Sequence, residues 1–199
     1  MRIAILPLAL AATLIGGCAT APISFPVEVT RYRVDDVGRG TISIQADSAT
    51  FDGPRFQTYA NAVGDALTAQ GYTVVPSGQP AQFVARIGIT SDRRSVRRDS
   101  AVSIGLGGDA YSGGRGGGIG IGGGISIPIG RGKPRDRVAT ILSVKIATRE
   151  GNQGVWEGVA KSQEDVPAGT GDDTKTAPRL AGALFTGFPG ESGRTIEVK

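Results

Sequence analysis

The 199-residue chain contains no histidine, and its single cysteine is Cys18. The absence of histidine removes the most common general base, the most common zinc ligand and the simplest pH sensor. A single cysteine excludes an intramolecular disulfide, a thiolate metal cluster and a Cys–His catalytic pair. Because most familiar enzyme chemistry depends on these groups, we expect a protein that is not an enzyme and that binds no cofactor and no metal.

Aromatic residues are few and the net charge is small. Phe, Trp and Tyr form 6% of the chain, and 22 Lys and Arg residues against 18 Asp and Glu give a net charge of +4. This excess is far below that of a dedicated nucleic-acid-binding protein, so nucleic acid is not an expected partner. Glycine is abundant instead, since its 32 residues exceed twice the usual share of about 7%.

No apolar run reaches the ~20 residues that a helix needs to cross a bilayer. Residues 3–15 are apolar apart from Thr13, and Arg2 precedes them, which is typical of an export signal. This run ends in Leu14-Ile15-Gly16-Gly17-Cys18, which resembles the bacterial lipobox, where a signal peptidase cuts directly before a lipid-modified cysteine. The alternative is an ordinary secretory signal followed by an incidental cysteine.

The lipobox predicts where the protein is held. We expect a signal peptide over residues 1–17 and a lipidated tether over residues 18–25, with diacylglycerol and palmitate on Cys18. Two or three acyl chains together make a stable anchor. Residue 19 is alanine rather than aspartate, which by resemblance to Gram-negative sorting rules favours the outer membrane. We therefore expect a lipid-anchored outer-membrane protein whose domain faces the periplasm.

The clearest element within the single predicted domain, residues 26–199, is an amphipathic helix. Its apolar side chains recur at the three-to-four residue spacing of one helical face. Asp52 is the predicted N-cap, Pro54 lies in the first turn, and Gly71 is placed to end the helix in a left-handed conformation. A second, shorter helix is predicted to begin at Pro178. The apolar positions are Phe56, Tyr59, Ala60, Val63, Ala66 and Leu67 in the first helix and Leu180, Leu184 and Phe188 in the second.

Alternating apolar residues predict strands before, between and after these helices. The first strand requires a change of register near Thr30 or Arg31 to turn all of its apolar residues inward. A turn at Gly151 and Asn152 joins two strands in a predicted hairpin, and Trp156 is expected to anchor the sheet to the core. The sequence therefore predicts an α+β fold, with a mostly antiparallel sheet, two helices packed on one face and a glycine-rich β-hairpin insertion. The predicted strands cover residues 27–34, 41–45, 72–75, 83–89, 138–147, 155–160 and 195–199.

Glycine is concentrated in an insert over residues 101–132. Isoleucines at positions 119, 121, 125, 127 and 129 share one parity, with Gly or Ser at most positions between them, which is the periodicity of a strand. Three interpretations are open. The insert is a structural hairpin that extends the sheet, a segment that becomes ordered only on binding a partner, or a hairpin that inserts into a membrane.

Positive charge is densest in Arg93, Arg94, Arg97 and Arg98, which follow the strand predicted over residues 83–89. One interpretation is a contact with an anionic glycan, an anionic lipid or an envelope protein. The other, which we favour, is a solvated connection that leads into the glycine-rich insert. Two acidic pairs, at 35–36 and 172–173, lack the ligand spacing of a calcium loop and are more typical of turns and helix caps.

Three motifs follow the lipobox in a fixed order. The first is the helix end Leu67-Thr68-Ala69-Gln70-Gly71-Tyr72, the second is the strand Val155-Trp156-Glu157-Gly158, and the third is the closing Leu184-Phe185-Thr186-Gly187-Phe188-Pro189-Gly190. With the glycine-rich insert, they resemble the bacterial lipoproteins grouped as domain of unknown function 4136 (DUF4136). The resemblance spans nearly all of the chain after Cys18. It implies an envelope lipoprotein with a compact α+β domain, and it implies no catalytic residues.

These observations leave three hypotheses for the function. The leading one is a non-enzymatic outer-membrane lipoprotein whose domain binds or scaffolds another envelope component through a sheet edge or through the insert. The second is an oligomeric envelope channel or secretion accessory, similar in outline to the curli-secretion lipoprotein pore, in which inserts of several copies close a barrel. The third is a periplasmic hydrolase, which would need a concave cluster of carboxylates. The sequence leaves the identity of the partner and the oligomeric state open.

Overall fold

The computed structural model describes residues 22–48, 53–96 and 134–199. Within these ranges the chain forms one sheet and two helices. No helix of these ranges is long and apolar enough to cross a membrane. In chain order the elements are β1 (Ile23–Ser24), β2 (Val27–Arg33), β3 (Thr41–Ala46), α1 (Pro54–Ala69), β4 (Thr73–Val75), β5 (Phe83–Val96), β6 (Arg135–Thr148), β7 (Gly154–Pro167), α2 (Asp173–Phe185) and β8 (Thr195–Val198).

The strands form a single sheet in the order β4-β3-β5-β6-β7-β2-β8, and β1 pairs with β7 beyond the start of β2. β3 is parallel to both of its neighbours, β4 and β5, whereas the other described pairs are antiparallel. The parallel pair of β3 and β4 follows from α1, because a crossover helix returns the chain to the end of the sheet where β3 begins. The predicted α+β fold with a mostly antiparallel sheet is confirmed.

Both helices pack on one face of the sheet, and a single hydrophobic core lies between the two layers. The apolar stripe that the sequence predicts for α1 is the stripe that faces the sheet. α2 buries a similar stripe next to it, and the two helices contact each other. The buried helix residues are Phe56, Tyr59, Val63, Gly64 and Leu67 in α1 and Thr176, Ala177, Leu180, Ala181, Ala183, Leu184 and Phe185 in α2.

The two ends of α1 follow the local sequence. Pro54 is the first residue of the helix, where its missing N–H has no intrahelical partner to lose. Asp52, the predicted N-cap, lies outside the described residues, and Gly53 occupies the N-cap position. At the other end Gly71 has φ 90, and the N–H of Tyr72 donates to the carbonyl of Leu67 at 3.1 Å. This bond belongs to a Schellman motif, so the predicted left-handed end of the helix is confirmed.

β2 runs straight through the point where the sequence predicts a change of register. Its residues pair continuously with β7 from Glu28 to Arg33. Arg31 therefore faces the core, where it is 4% exposed, and Tyr32 lies on the opposite face, where it is 54% exposed. The predicted change of register is wrong because it places Tyr32 in the core. The core contains the side chain of Arg31 instead.

The three central strands are longer than their apolar patterns. β5 continues to Val96 instead of ending near Ile89, β6 begins at Arg135, and β7 continues to Pro167. Each added segment is rich in polar residues, which sequence reasoning assigned to loops. These residues are held in the sheet by the continuous ladder between β5 and β6, which runs from Phe83 to Val96.

α2 begins five residues earlier than predicted, at Asp173 instead of Pro178. Asp172 is its N-cap, and the carboxylate of Asp172 accepts a hydrogen bond from the N–H of Thr174 at 3.1 Å. One of the two acidic pairs therefore has the predicted capping role. Pro178 lies inside the helix in its second turn, and its ring faces solvent.

The glycine-rich insert 101–132, with its predicted β-hairpin, lies outside the described residues, as do the signal peptide and Cys18. The sheet nevertheless fixes where the insert is attached. Val96 pairs with Arg135, so the chain leaves the sheet on β5 and returns on the adjacent strand β6. The insert is therefore attached to the sheet at this end of β5 and β6.

Candidate functional site

On the face that the helices cover, the side chains of the central strands change from aliphatic to polar along the length of the strands. Ala85 and Ile87 of β5 lie under the helices, whereas Ser91, Arg93 and Ser95 follow them on the same face. β6 and β7 show the same change, so hydroxyl and charged groups replace aliphatic ones at one end of the sheet. The polar members of this face are Ser91, Arg93, Ser95, Asp136, Thr140, Ser162 and Glu164.

A polar cleft lies between this end of the sheet and the N-terminal ends of α1 and α2. It encloses about 420 Å³ and is open to solvent. Backbone and side chains of both helices, three strands and the loop after β7 contribute to its walls. Its charged lining residues are Arg55, Asp92, Arg93, Glu164, Asp172 and Asp173.

Asp173, the first residue of α2, connects the two helices. Its carboxylate accepts a hydrogen bond from Nε of Arg55 at 3.0 Å and another from the hydroxyl of Tyr59 at 2.8 Å. Arg55 also donates to the hydroxyl of Ser91 at 2.6 Å, which ties α1 to β5. Burial, followed by the hydrogen bond to Asp173, raises the pKa of Tyr59, so this phenol is a proton donor and not a base at physiological pH.

Asp136 joins β5, β6 and the loop after β7. It is 5% exposed and accepts hydrogen bonds from the N–H of Gly169 at 3.0 Å, from Nη1 of Arg93 at 3.1 Å and from the hydroxyl of Ser95 at 3.1 Å. The N–H of Gly169, followed by the guanidinium of Arg93, lowers the pKa of Asp136 below its usual value. The charged carboxylate is therefore the stable form, and it anchors one end of the cleft.

The other carboxylates of the cleft are also paired with cations. Glu164 accepts a hydrogen bond from Nη1 of Arg179 at 2.9 Å. Asp172 lies 3.3 Å from the ammonium group of Lys175. The hydrogen bond from the side chain of Thr174, followed by the interaction with Lys175, lowers the pKa of Asp172. The cleft therefore contains fixed and locally neutralised charges.

The predicted arginine cluster is divided between the two faces of the sheet. Arg93 and Arg94 are neighbours in β5, so their side chains point to opposite faces. Arg93 enters the cleft, where it also donates to the carbonyl of Thr170 at 2.7 Å. Arg94 lies on the uncovered face and pairs with Asp92 at 2.8 Å. Arg97 and Arg98, like the predicted lipidation site Cys18, lie outside the described residues.

Trp156 anchors the opposite end of the sheet, as predicted. It is 2% exposed, and its ring stacks on Phe185 at a centroid distance of 5.2 Å. Its indole N–H donates to the carbonyl of Pro189 at 2.9 Å. The second and third sequence motifs therefore meet in the core and stabilise the fold.

Gly158 is required by this packing. A Cβ atom at position 158 would lie 2.4 Å from Cη2 of Trp156 and 2.8 Å from Cδ1 of Leu184. Both neighbours are buried and cannot move aside cheaply. We expect Gly158→Ala to lower the free energy of unfolding by about 1–3 kcal/mol, measured by urea denaturation. Gly154→Ala in the same strand is the matched control, because a Cβ there meets nothing within 4 Å. Equal stability of the two variants would contradict the packing argument.

Two structurally important arginines were missed from the sequence. Arg31 donates from Nε to the carbonyl of Leu184 at 2.8 Å and from Nη2 to the carbonyls of Ala183 and Thr186 at 3.0 and 2.8 Å. It therefore binds the last turn of α2. The sequence did contain a signal for the buried position of Arg31, because residues 27, 29 and 31 of one strand face the same side of the sheet.

Arg39 has the same role at α1. Its Nε donates to the carbonyl of Gln70 at 2.7 Å, directly after the last helical residue. Its guanidinium lies between two rings, 5.1 Å from the centroid of Tyr72 and 4.7 Å from that of Phe188. The first and third sequence motifs thus meet around this arginine, which gives both a structural role.

Known proteins align with this chain over most of its length. An uncharacterized protein of Zymomonas mobilis subsp. mobilis is 29% identical, over 87% of this chain and 80% of its own length. A PelC dodecamer from Paraburkholderia phytofirmans aligns with a TM-score of 0.40 and 10% identity, over 80% of this chain and 95% of that chain. A PDZ domain protein from Parabacteroides distasonis aligns with a TM-score of 0.43 and 11% identity, over 88% of this chain and 38% of that chain.

The sequence pattern of one protein family covers most of the chain. It matches residues 25–190, which include the helix end, the Trp156 strand and the closing motif around Phe188. The resemblance noted from these motifs is confirmed. The chain belongs to the family described as domain of unknown function, DUF4136.

Proposed function

We propose that this DUF4136 protein is an outer-membrane lipoprotein, anchored through Cys18, whose periplasm-facing domain binds or scaffolds another envelope component without catalysing a reaction. The lipobox at residues 14–18 supports the anchor. The polar cleft supports the binding function, since charged groups of both helices and of the central strands line it. The cleft also lies near the tether, because β1 pairs with Asp165 and Glu164 of β7.

The observation that carries the non-catalytic assignment is the pairing of every carboxylate that lines the cleft. A general acid or base must be free to reach the substrate, whereas a carboxylate held by a cation of its own protein is engaged in a structural contact. Ionised carboxylates, guanidinium groups and hydroxyls at fixed positions can hold a polar ligand by charge-assisted hydrogen bonds. The pairs are Glu164 with Arg179, Asp172 with Lys175, and Asp173 with Arg55, while the carboxylate of Asp92 pairs with Arg94 on the opposite face of the sheet.

Arg55→Gln tests binding at the cleft. Arg55 is 43% exposed at its side chain, so it can reach a ligand while it contacts Asp173. The lipidated protein is purified after reversible crosslinking in intact cells, and the recovered envelope components are quantified. We expect a component that the wild type retains to fall about tenfold with Arg55→Gln, because a charge-assisted hydrogen bond contributes ~1.5–3 kcal/mol.

Arg149→Gln is the matched control. Arg149 is exposed and follows β6 at the opposite end of the sheet. An identical set of components with the wild type and both variants would contradict binding at the cleft. Turnover of peptidoglycan or lipid by the purified protein, abolished by Asp173→Asn, would contradict the non-catalytic assignment.

A second candidate function is an oligomeric channel or secretion accessory that uses the glycine-rich insert. It is favoured by the attachment of the insert to the adjacent strands β5 and β6, at the pair Val96 and Arg135. This function predicts heat-resistant oligomers in detergent that disappear when residues 101–132 are deleted. Unchanged partners and an unchanged envelope phenotype in the deletion strain would exclude a role for the insert.

A further inference from the structure

A row of residues crosses four strands on the uncovered face of the sheet, at the end where the insert is attached. Ile23 of β1 pairs with Asp165 of β7, Asp165 pairs with Arg137 of β6, and Arg137 pairs with Arg94 of β5. Neighbouring strands lie about 4.8 Å apart, so the four residues span roughly 15 Å. We call Arg94 and Arg137 the arginine row. The first described strand of the chain thus begins in the same row of the sheet as Arg94 and Arg137.

The side chains of the arginine row are held toward solvent. Arg137 forms two hydrogen bonds with the carboxylate of Asp165, at 2.8 Å from Nε and 3.1 Å from Nη2. Asp165 is 1% exposed, whereas the side chain of Arg137 is 44% exposed. Nη1 takes no part in this pair, and the side chain of Arg94 is 81% exposed. Arg94 pairs through Nε with Asp92 at 2.8 Å, so each guanidinium of the arginine row is positioned by one carboxylate while its side chain stays accessible to water.

Apolar side chains lie next to these cations. Phe25 is 38% exposed, and the guanidinium of Arg137 lies 5.5 Å from the centroid of its ring. Ile23, at the end of the row, is 40% exposed. Arginine beside exposed aromatic and aliphatic groups is typical of surfaces that contact the headgroup region of a bilayer, where the stem or ring is buried and the charge meets phosphate.

Positive charge is concentrated in the stretch of sequence that is attached at this end of the sheet. The stretch 92–137, which leaves the row on β5 and returns to it on β6, contains nine Lys or Arg and four Asp or Glu. The rest of the chain from residue 18 onward contains twelve Lys or Arg and fourteen Asp or Glu. The described residues of the stretch, 92–96 and 134–137, contain four Arg and two Asp, so an anionic surface would favour this end of the domain.

We propose that the end of the sheet with the arginine row faces the bilayer and binds the phosphate groups of anionic phospholipids. The orientation rests on the proposed anchor at Cys18. Ile23 is the fifth residue after Cys18, and this length of chain spans at most about 18 Å when fully extended. The tether thus keeps the arginine row close to the headgroups of the leaflet that holds the acyl chains. The polar cleft, on the other face of the same strands, stays open beside the membrane surface.

Energy transfer in vesicles tests this orientation. The lipidated protein is reconstituted with a donor fluorophore on Gln163→Cys or, as matched control, on Gln153→Cys, and the vesicles carry an acceptor on their headgroups. Both glutamines are exposed, and they lie ten residues apart along β7 and its start, which corresponds to about 33 Å. We expect stronger transfer from position 163 in vesicles that contain phosphatidylglycerol, and a reduced difference in phosphatidylcholine alone or at high salt.

The arginine row itself is tested by Arg94→Gln, with Arg149→Gln as control. Removing one arginine is expected to weaken binding of the protein without its acyl chains to phosphatidylglycerol vesicles roughly fivefold. Equal transfer from both labels, or the same transfer with and without phosphatidylglycerol, would overturn the proposal. Mass spectrometry reads the lipid on Cys18 separately. If the lipid were absent, the proposed anchor would be wrong. The arginine row would then be tested by co-sedimentation of the chain with phosphatidylglycerol vesicles. Weaker co-sedimentation of Arg94→Gln would support the arginine row, and unchanged co-sedimentation would contradict it.

Discussion

A Cys18→Ser variant is expected, from the proposed anchor, to accumulate as an unlipidated precursor that is absent from the outer membrane. The reason is chemical, because the diacylglyceryl group is attached through the cysteine sulfur and the signal peptidase cuts only before the modified residue. Each acyl methylene contributes about 0.8 kcal/mol to membrane binding, so two or three chains are needed for a stable anchor. Intact-mass spectrometry and separation of inner and outer membranes measure both effects.

Ala19→Asp is the control for the Cys18 variant. It leaves the sulfur in place, so lipidation and cleavage should proceed as in the wild type. By the sorting rule that favours the outer membrane for alanine, only the destination of the protein should change, from the outer to the inner membrane. A Cys18→Ser protein that is still cleaved at residue 18 and still held in the outer membrane would disprove the anchor.

Replacing Arg31 with methionine is expected to lower the free energy of unfolding by about 3 kcal/mol or more. Methionine fills similar space but cannot donate to the carbonyls of Leu184, Ala183 and Thr186, which Arg31 binds at 2.8–3.0 Å. Carbonyl groups left without donors in the core lose their hydrogen bonds to the protein without regaining water. Burial lowers the pKa of Arg31, yet a guanidinium stays charged at physiological pH, so the wild-type bonds are charge-assisted.

Arg33→Met provides the comparison for Arg31→Met. Arg33 is two residues away in β2, and it is exposed. Its Nε donates to the carbonyl of Gly190 at 2.9 Å, a surface bond whose loss should cost about 1 kcal/mol or less. Urea denaturation of both variants gives the difference. Similar midpoints would mean that the buried bonds of Arg31 contribute no more than a surface contact.

Elements with a local pattern could be predicted from the sequence. α1 follows from the spacing of Phe56, Tyr59 and Val63, and its end follows from Gly71, because these signals act within one or two turns. The hairpin of β6 and β7 follows from alternation and from the turn that contains Gly151, which has φ 78. In each case the residues that determine the element are neighbours in the chain.

The polar halves of the central strands could not be predicted in this way. Their inward side chains are charged or hydroxylated, so no apolar alternation distinguishes them from a loop. What holds them in the sheet is the ladder to the next strand and pairs such as Arg93 with Asp136, which are far apart in sequence. The polar cleft depends on these pairs, so its geometry could be described only once the order and register of the strands were known. The sequence identified Arg93 as a candidate and assigned Asp173 to a turn or helix cap, but it did not indicate Asp136.

The two helices begin at the same end of the sheet, since Arg55 in the first turn of α1 contacts Asp173 in the first turn of α2. They therefore run parallel, and like poles of their macrodipoles lie side by side, which is unfavourable. The carboxylate of Asp173 opposes the positive poles, and the guanidinium groups of Arg31 and Arg39 oppose the negative ones. These three residues, which are distant in the sequence, thus offset the repulsion between the like poles of the two parallel helices.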